Sequence, residues 1–191
     1  MELGEFCKSY RMILELVGLP GVGKFTIGRV LAKSLNARLV DNHNIANPAF
    51  VSTSFGSHEF YDMVRSVRAL TFESLKKLPA STSIILTTAP SRSSLRWREL
   101  QEASRELAVA RQQPLLGVHL RCEPNEGVRR LKMPDRALLH KITDPSVLND
   151  GFERLVLLDH CDLTLDLDVT MLAPSQAANV ILEWLNQDRS E

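Results

Sequence analysis

Residues Gly18 to Thr26 read Gly-Leu-Pro-Gly-Val-Gly-Lys-Phe-Thr, and this run constrains the fold more than any other part of the chain. The apolar segment Ile13-Leu-Glu-Leu-Val17 precedes it and reads as a strand. Ile27, Val30, Leu31, Ser34 and Leu35 follow at helical spacing. A strand, a glycine-rich turn and a helix in that order make a cradle for phosphate. Glycines let the backbone curl so that successive N–H groups converge on one concavity without side-chain obstruction. The positive end of the following helix dipole faces the same anion. Lys24 adds a mobile ammonium that follows charge on the outer phosphates. A turn that only joins a strand to a helix has no need of a lysine directly after its last glycine. The expected phosphate-binding residues are Gly18, Gly21, Val22, Gly23, Lys24, Phe25 and Thr26.

A chain of 191 residues suits one α/β domain, residues 1–191, with room for a small mobile insert. Apolar residues make up 44%, enough to fill a sheet core between two helical layers. Lysine plus arginine equals aspartate plus glutamate at 23 each, so no global field favours nucleic acid or an acidic membrane. Cys7, Cys122 and Cys161 are odd in number and lack metal-ligand spacing, which reads as free or buried thiols in a reducing compartment. No apolar run approaches membrane-spanning length, and the first ten residues lack the apolar centre of a secretory signal. A cytoplasmic protein is expected.

Strand-like and helix-like segments alternate, which predicts a parallel sheet of five strands covered on both faces. The strands are expected near residues 12–17, 38–41, 82–88 (the central one), 115–120 and 163–167. A long helix over 59–78 would bury Phe60, Met63, Val64, Val67, Leu70 and Leu78, and another runs over 91–111. A last helix from Pro174 would bury Ala177, Val180, Ile181, Trp184 and Leu185. Residues 123–151 break the alternation. They carry Arg129, Arg130, Lys132, Arg136 and Lys141 between Pro124, Pro134 and Pro145, which implies short surface helices joined by turns. Ligands of such sheets sit beyond the carboxyl ends of the strands. An arginine-bearing flap there is suited to be a lid that closes on phosphate and excludes water.

The order of parts from about Ile13 to Leu185 resembles the small P-loop kinases: nucleoside monophosphate kinases, shikimate and gluconate kinases, and chloramphenicol-type phosphotransferases. The loop Gly18 to Thr26 carries the likeness most strongly. Leu39-Val-Asp-Asn-His-Asn-Ile-Ala-Asn-Pro48 resembles the acceptor-side segment of the shikimate and gluconate enzymes, Arg129 to Arg136 their lid, and Thr164 to Ser175 the final strand and loop beside the adenine. The loop is also similar to that of uncharacterised bacterial proteins grouped as shikimate-kinase-like or AAA-family ATPases, which read Gly-Val-Gly-Lys-Tyr/Phe-Thr and then Asp-Asn-His. The resemblance implies the three-layer P-loop NTPase fold with a helical lid, and ATP and Mg²⁺ as ligands. Two departures bear on the metal. Phe25 stands where most such kinases have a Mg²⁺-binding hydroxyl, with Thr26 one position later. The strand ending Thr87-Thr88 has no terminal aspartate, which leaves Thr26 and Asp41 as the metal candidates.

Asp41 falls at the carboxyl end of the second strand. Phosphoryl transfer to an alcohol needs a carboxylate there to orient the hydroxyl and take its proton. Turn or helix capping is the competing role. His43 stands where shikimate-type enzymes carry a second aspartate, and it suits proton transfer, substrate contact or simple loop packing. Asn42, Asn44 and Asn47 suit a polar ligand or a tight loop equally. Arg92, Arg96 and Arg98 follow the third strand, with Arg92 the candidate for an anionic acceptor group, whereas Arg65 and Arg68 read as a solvated helix face. The expected activity is transfer of the ATP γ-phosphoryl to a hydroxyl of a small molecule, with Lys24, Asp41 and Arg136 catalytic and Arg129 or Arg130 on the nucleotide. A P-loop ATPase or nucleotide-binding regulator is the alternative, and a nucleoside monophosphate kinase the third reading. Neither nucleic acid nor membrane is an expected partner, and the sequence leaves oligomeric state open.

Overall fold

A computed structural model describes residues 11–90, 94–134, 143–145 and 158–187. In chain order the elements are β1 (Ile13–Val17), α1 (Lys24–Leu35), β2 (Arg38–Val40), α2 (Asn42–Ser52), α3 (His58–Lys76), β3 (Ile84–Thr88), α4 (Ser94–Arg111), β4 (Leu115–Arg121), α5 (Pro124–Leu131), β5 (Leu163–Asp168) and α6 (Pro174–Gln187). The strands form one sheet of order β2-β3-β1-β4-β5, every pair parallel. β1 therefore holds the centre and β3 lies one place off it. All five residues of β1 are buried, as expected for a strand covered on both faces.

Because strand side chains alternate, the sheet builds two apolar layers. Leu14 and Leu16 of β1 pack with Ile27 and Leu31 of α1 and with Ala177, Ile181 and Leu185 of α6. Ile13 faces the other way, against Phe72 and Leu75 of α3 and Leu107 of α4. The result is the three-layer architecture, with the P-loop between β1 and α1 at the carboxyl edge of the central strand.

Three expectations change. The Asp-Asn-His-Asn segment is no loop: Asp41 takes the N-cap position of α2, which runs through Pro48 and buries Ile45, Ala46 and Ala49. Leu70 is 71% exposed. It stands five positions before buried Leu75, more than a third of a turn round the helix at about 3.6 residues per turn. Val180 is exposed and Trp184 only half-buried, while Ala177, Ala178, Ile181 and Leu185 make the covered stripe of α6.

The segment between α3 and β3 is held by one side chain. Arg111, buried at the end of α4, donates from Nη1 to the carbonyls of Leu75 (2.7 Å) and Leu78 (3.0 Å), and from Nη2 to those of Pro79 (3.0 Å) and Thr82 (2.8 Å). Its Nε–H donates to Gln113 at 3.0 Å. Arg111→Ala should lower unfolding stability by about 3 kcal/mol, since it orphans several buried acceptors at once. Arg111→Lys should recover little, because one ammonium does not span four carbonyls. Urea denaturation measures both, and a change within error for the alanine variant would contradict this role.

Candidate functional site

The turn after β1 has its shape because three glycines permit it. A Cβ on Gly18 would come within 2.4 Å of the Leu120 carbonyl oxygen on β4, a separation backbone cannot yield. Gly21 and Gly23 have φ of 90° and 109°, in the left-handed region that side-chain-bearing residues avoid. Gly23 caps α1 without a side-chain hydrogen bond, so no capping side chain stands between the amino end of the helix and an anion. Lys24 folds back onto its own loop, donating from Nζ to Gly18 O at 2.5 Å and Leu19 O at 2.9 Å. Phe25 lies against its own helix, with the Arg29 guanidinium 5.8 Å from the ring centroid. Thr26 is exposed, and both line the cleft that opens above the loop.

That cleft is about 1200 Å³ and joins the P-loop to the segment after β2. Asp41 is 5% exposed at the strand's carboxyl end. Thr87 Oγ1 donates to its Oδ1 at 2.5 Å and accepts from Asn42 N–H at 2.9 Å. The strand-end threonine thus fixes the carboxylate in place. His43, in the first turn of α2, lines the same cleft with its ring near-parallel to Phe50 at 6.3 Å. Lys24, Thr26, Asp41 and His43 all line this one cleft. Thr26 and Asp41 offer an all-oxygen donor set of the kind Mg²⁺ takes.

Arg65 is exposed, as expected of a solvated helix face, but Arg68 is half-buried. With Arg96, they line the cleft. Arg65 is already paired with Asp62, and with Glu99 at 3.5 Å. The Arg96 guanidinium sits 3.8 Å from the Tyr61 ring centroid, a cation–π contact. Arg68 is half-buried, and its guanidinium makes no hydrogen bond among the described residues. Burial pushes it below its ordinary value, against the pull of Glu15 and Glu99. Phe50, Phe55, Phe60 and Tyr61 complete this wall. The readable signal was the 61-65-68 spacing, which puts one tyrosine and two arginines on one helix face.

α5 closes the other side. Arg130 donates to Val22 O (3.1 Å), Val169 O (2.9 Å) and Thr170 O (3.1 Å), tying the P-loop to the turn after β5. Arg129 grips Glu126 through Nε and Nη2, both at 2.7 Å. Arg92 and Arg136 lie outside the described residues, as does most of the expected lid beyond residue 134. No helix among the described residues is long and apolar enough to cross a membrane.

No family model matches the chain. A shikimate kinase of Corynebacterium glutamicum is 57% identical over 37 residues, 19% of this chain and 22% of that protein. One of Corynebacterium efficiens is 56% identical over 39 residues, 20% of this chain and 23% of that protein. The matched stretch thus spans less than a quarter of either curated relative. Among solved structures, a Chloroflexus aurantiacus protein provisionally named a kinase aligns at TM-score 0.64 and 16% identity, covering 94% of this chain and 98% of that one. Shikimate kinase of Acinetobacter baumannii, in complex with shikimate, aligns at TM-score 0.60 and 18% identity over 96% and 97% of the two chains. A gluconokinase of Sinorhizobium meliloti aligns at TM-score 0.59 and 15% identity over 96% and 100%. The fold is that of the small-molecule P-loop kinases along nearly the whole chain.

Hydrogen bonds from Arg129 and then Arg130 lower Glu126 from its ordinary 4.5 to about 2. Since the folded value lies below the unfolded one, the contribution of this cluster is complete above about pH 4.5 and is lost as pH falls through about 2. A side-chain carboxyl NMR titration should find that midpoint in the folded protein and an upward shift in Arg129→Ala. A midpoint at the ordinary value would contradict the contact.

Proposed function

We propose that the chain is an ATP-dependent phosphotransferase that moves the γ-phosphoryl of ATP to a hydroxyl of a small molecule. One observation carries this reading: a single cleft is lined by the P-loop and also by the buried Asp41–Thr87 pair and the half-buried guanidinium of Arg68. A protein that only bound nucleotide would have no use for the second set.

In this mechanism the backbone from Gly21 to Thr26, with Gly18 shaping the turn, cradles the phosphates, and Lys24 exchanges its two loop carbonyls for phosphate oxygens. The Thr26 hydroxyl and the Asp41 carboxylate would hold Mg²⁺, which when bound neutralises charge on the β- and γ-oxygens. Asp41 orients the acceptor hydroxyl and takes its proton as the new P–O bond forms. His43 flanks the acceptor, and Arg92 is a further candidate for contact with it. Arg68 receives an anionic group of the acceptor, because Arg65 is already neutralised by carboxylates and Arg96 is stacked on Tyr61. Residues 123–151 act as the lid, with Arg136 closing over the transferring phosphoryl group. Arg129 is better suited than Arg130 to assist, since Arg130 is spent on three backbone carbonyls.

A nucleoside monophosphate as acceptor is the second reading, favoured by the three arginines beside four aromatic rings in the acceptor half. The deciding experiment incubates γ-labelled ATP, Mg²⁺ and a small-metabolite extract with the protein and with Lys24→Ala. A labelled organic phosphate that is absent from the variant is the expected result, and its identity distinguishes a hydroxylated metabolite from a nucleotide. Label released only as inorganic phosphate, across varied extracts, would replace the proposal with a P-loop ATPase. With the acceptor in hand, Asp41→Asn should lower kcat by about 100-fold or more while ATP still binds. Arg68→Ala should raise the acceptor KM about tenfold or more and leave that of ATP unchanged.

A further inference from the structure

Glu15 stands in the middle of β1 and is 1% exposed. A carboxylate in the centre of a covered sheet is costly unless its oxygens are engaged. Thr88 Oγ1 donates to Oε1 at 2.6 Å, and Ser104 Oγ donates to the same oxygen at 3.2 Å. His160, from the turn before β5, meets Oε2 through Nε2 at 2.8 Å. The next residue, Cys161, places Sγ 3.7 Å from that same nitrogen. The three groups present one ligand atom each, all within 4.8 Å of one another. Gly117, the register partner of Glu15 on β4, makes the approach possible, since a Cβ there would lie 2.7 Å from Cys161 Sγ.

We propose that Glu15, His160 and Cys161 form a binding site for a zinc-class divalent transition-metal ion. Thiolate, imidazole and carboxylate together suit such an ion and do not suit Mg²⁺ or Ca²⁺. The sulfur–nitrogen separation of 3.7 Å is near the ~3.6 Å edge of a tetrahedron with Zn–S and Zn–N bonds of about 2.3 and 2.1 Å. The nitrogen–oxygen pair, now hydrogen-bonded, needs to open by about 0.5 Å to span the equivalent edge.

The surroundings match what a metal ligand requires. Thr88 and Ser104 both bond Oε1, which orients Glu15 and leaves the metal-facing role to Oε2. His160 Nδ1 faces the Gln101 amide nitrogen at 3.2 Å, which also donates to Asp159 Oδ1 at 3.3 Å; turning the amide over supplies an acceptor for Nδ1–H at the expense of the Asp159 contact. On binding, the Cys161 thiol loses its proton to solvent and the imidazole proton moves from Nε2 to Nδ1, so one proton leaves per ion. Burial, then the charges of Glu15 and Asp162, push the metal-free thiol up to about 12, so the ion displaces a proton rather than meeting a thiolate. The His160 side chain is only 9% exposed and Glu15 1%, so an ion would enter from the side of Cys161, which is partly exposed. The bound ion would clamp the turn before β5 onto the central strand. The site is independent of the phosphotransfer reading.

The test uses the full chain with Cys7→Ser and Cys122→Ser, reduced, stripped with chelator and titrated with Co²⁺ and then Zn²⁺. The expected result is a stoichiometric thiolate-to-cobalt charge-transfer band in the near ultraviolet, bleached by Zn²⁺ and absent after Cys161→Ser. Gln101→Ala should weaken Co²⁺ binding about tenfold while leaving the band in place. His160→Gln supplies a second readout that spares the thiol, and it should weaken binding further still. No band, a band that survives Cys161→Ser, or binding indifferent to His160→Gln would each overturn the proposal.

Discussion

The architecture of the cleft depends on how closely backbone meets backbone between residues 18 and 23. Gly18 packs against the Leu120 carbonyl of β4 with no room for a methyl group, and Gly21 packs against Leu131 and the Gly127 carbonyl of α5. These contacts fix the loop from behind, through its neighbours, before any ligand arrives. Arg130 adds a bridge from Val22 to the turn at Val169 and Thr170. A cradle held this way costs little to order when phosphate binds, which is the physical meaning of preorganisation.

The same logic explains the end of β3, which has no terminal aspartate and carries two threonines instead. Thr87 holds Asp41 from the neighbouring strand at the cleft, and Thr88 holds Glu15 from the other neighbour within the sheet layer. Consecutive strand residues point to opposite faces, so one Thr-Thr pair serves two carboxylates with different surroundings. The acid missing from β3 is thereby delivered by β2, close to where an acceptor hydroxyl would lie.

The P-loop and the positions of the five strands along the chain were legible because glycine placement and apolar period are local properties, whereas their spatial order was not: β1, not β3, holds the centre. α2 was not legible either, since Asp41, Asn42, Asn44 and Pro48 carry turn chemistry, and only the burial of Ile45, Ala46 and Ala49 against the sheet overrides it. Arg68 looked solvated because α3 alternates charged and apolar residues on more than one side. Its exposure is decided by where α4 brings Arg96, Glu99 and Leu100, which is a tertiary fact. The Glu15, His160 and Cys161 group was invisible for a related reason. Metal-site signatures rely on short spacing, and here the ligands lie 145 residues apart until β1 and the turn before β5 meet across Gly117.

The balanced net charge of the chain conceals a strong local imbalance. Six basic side chains line the cleft (Lys24, Arg65, Arg68, Arg96, Arg129 and Arg130) against four acidic ones (Asp41, Glu99, Glu126 and Asp144). The pairing within that set is uneven. Glu126 is matched by Arg129 and Arg130, and Glu99 with Asp62 by Arg65. Arg68 makes no hydrogen bond among the described residues and feels the charges of Glu15 and Glu99 without bonding to either. Lys24 belongs to the P-loop and Arg68 to the α3 wall of the same cleft. In a partly dehydrated site a cation attracts anions far more strongly than in water. Under the proposed phosphotransfer, a cation beside each of the two substrates favours two anionic ligands held at once, with Asp41 as the proposed base.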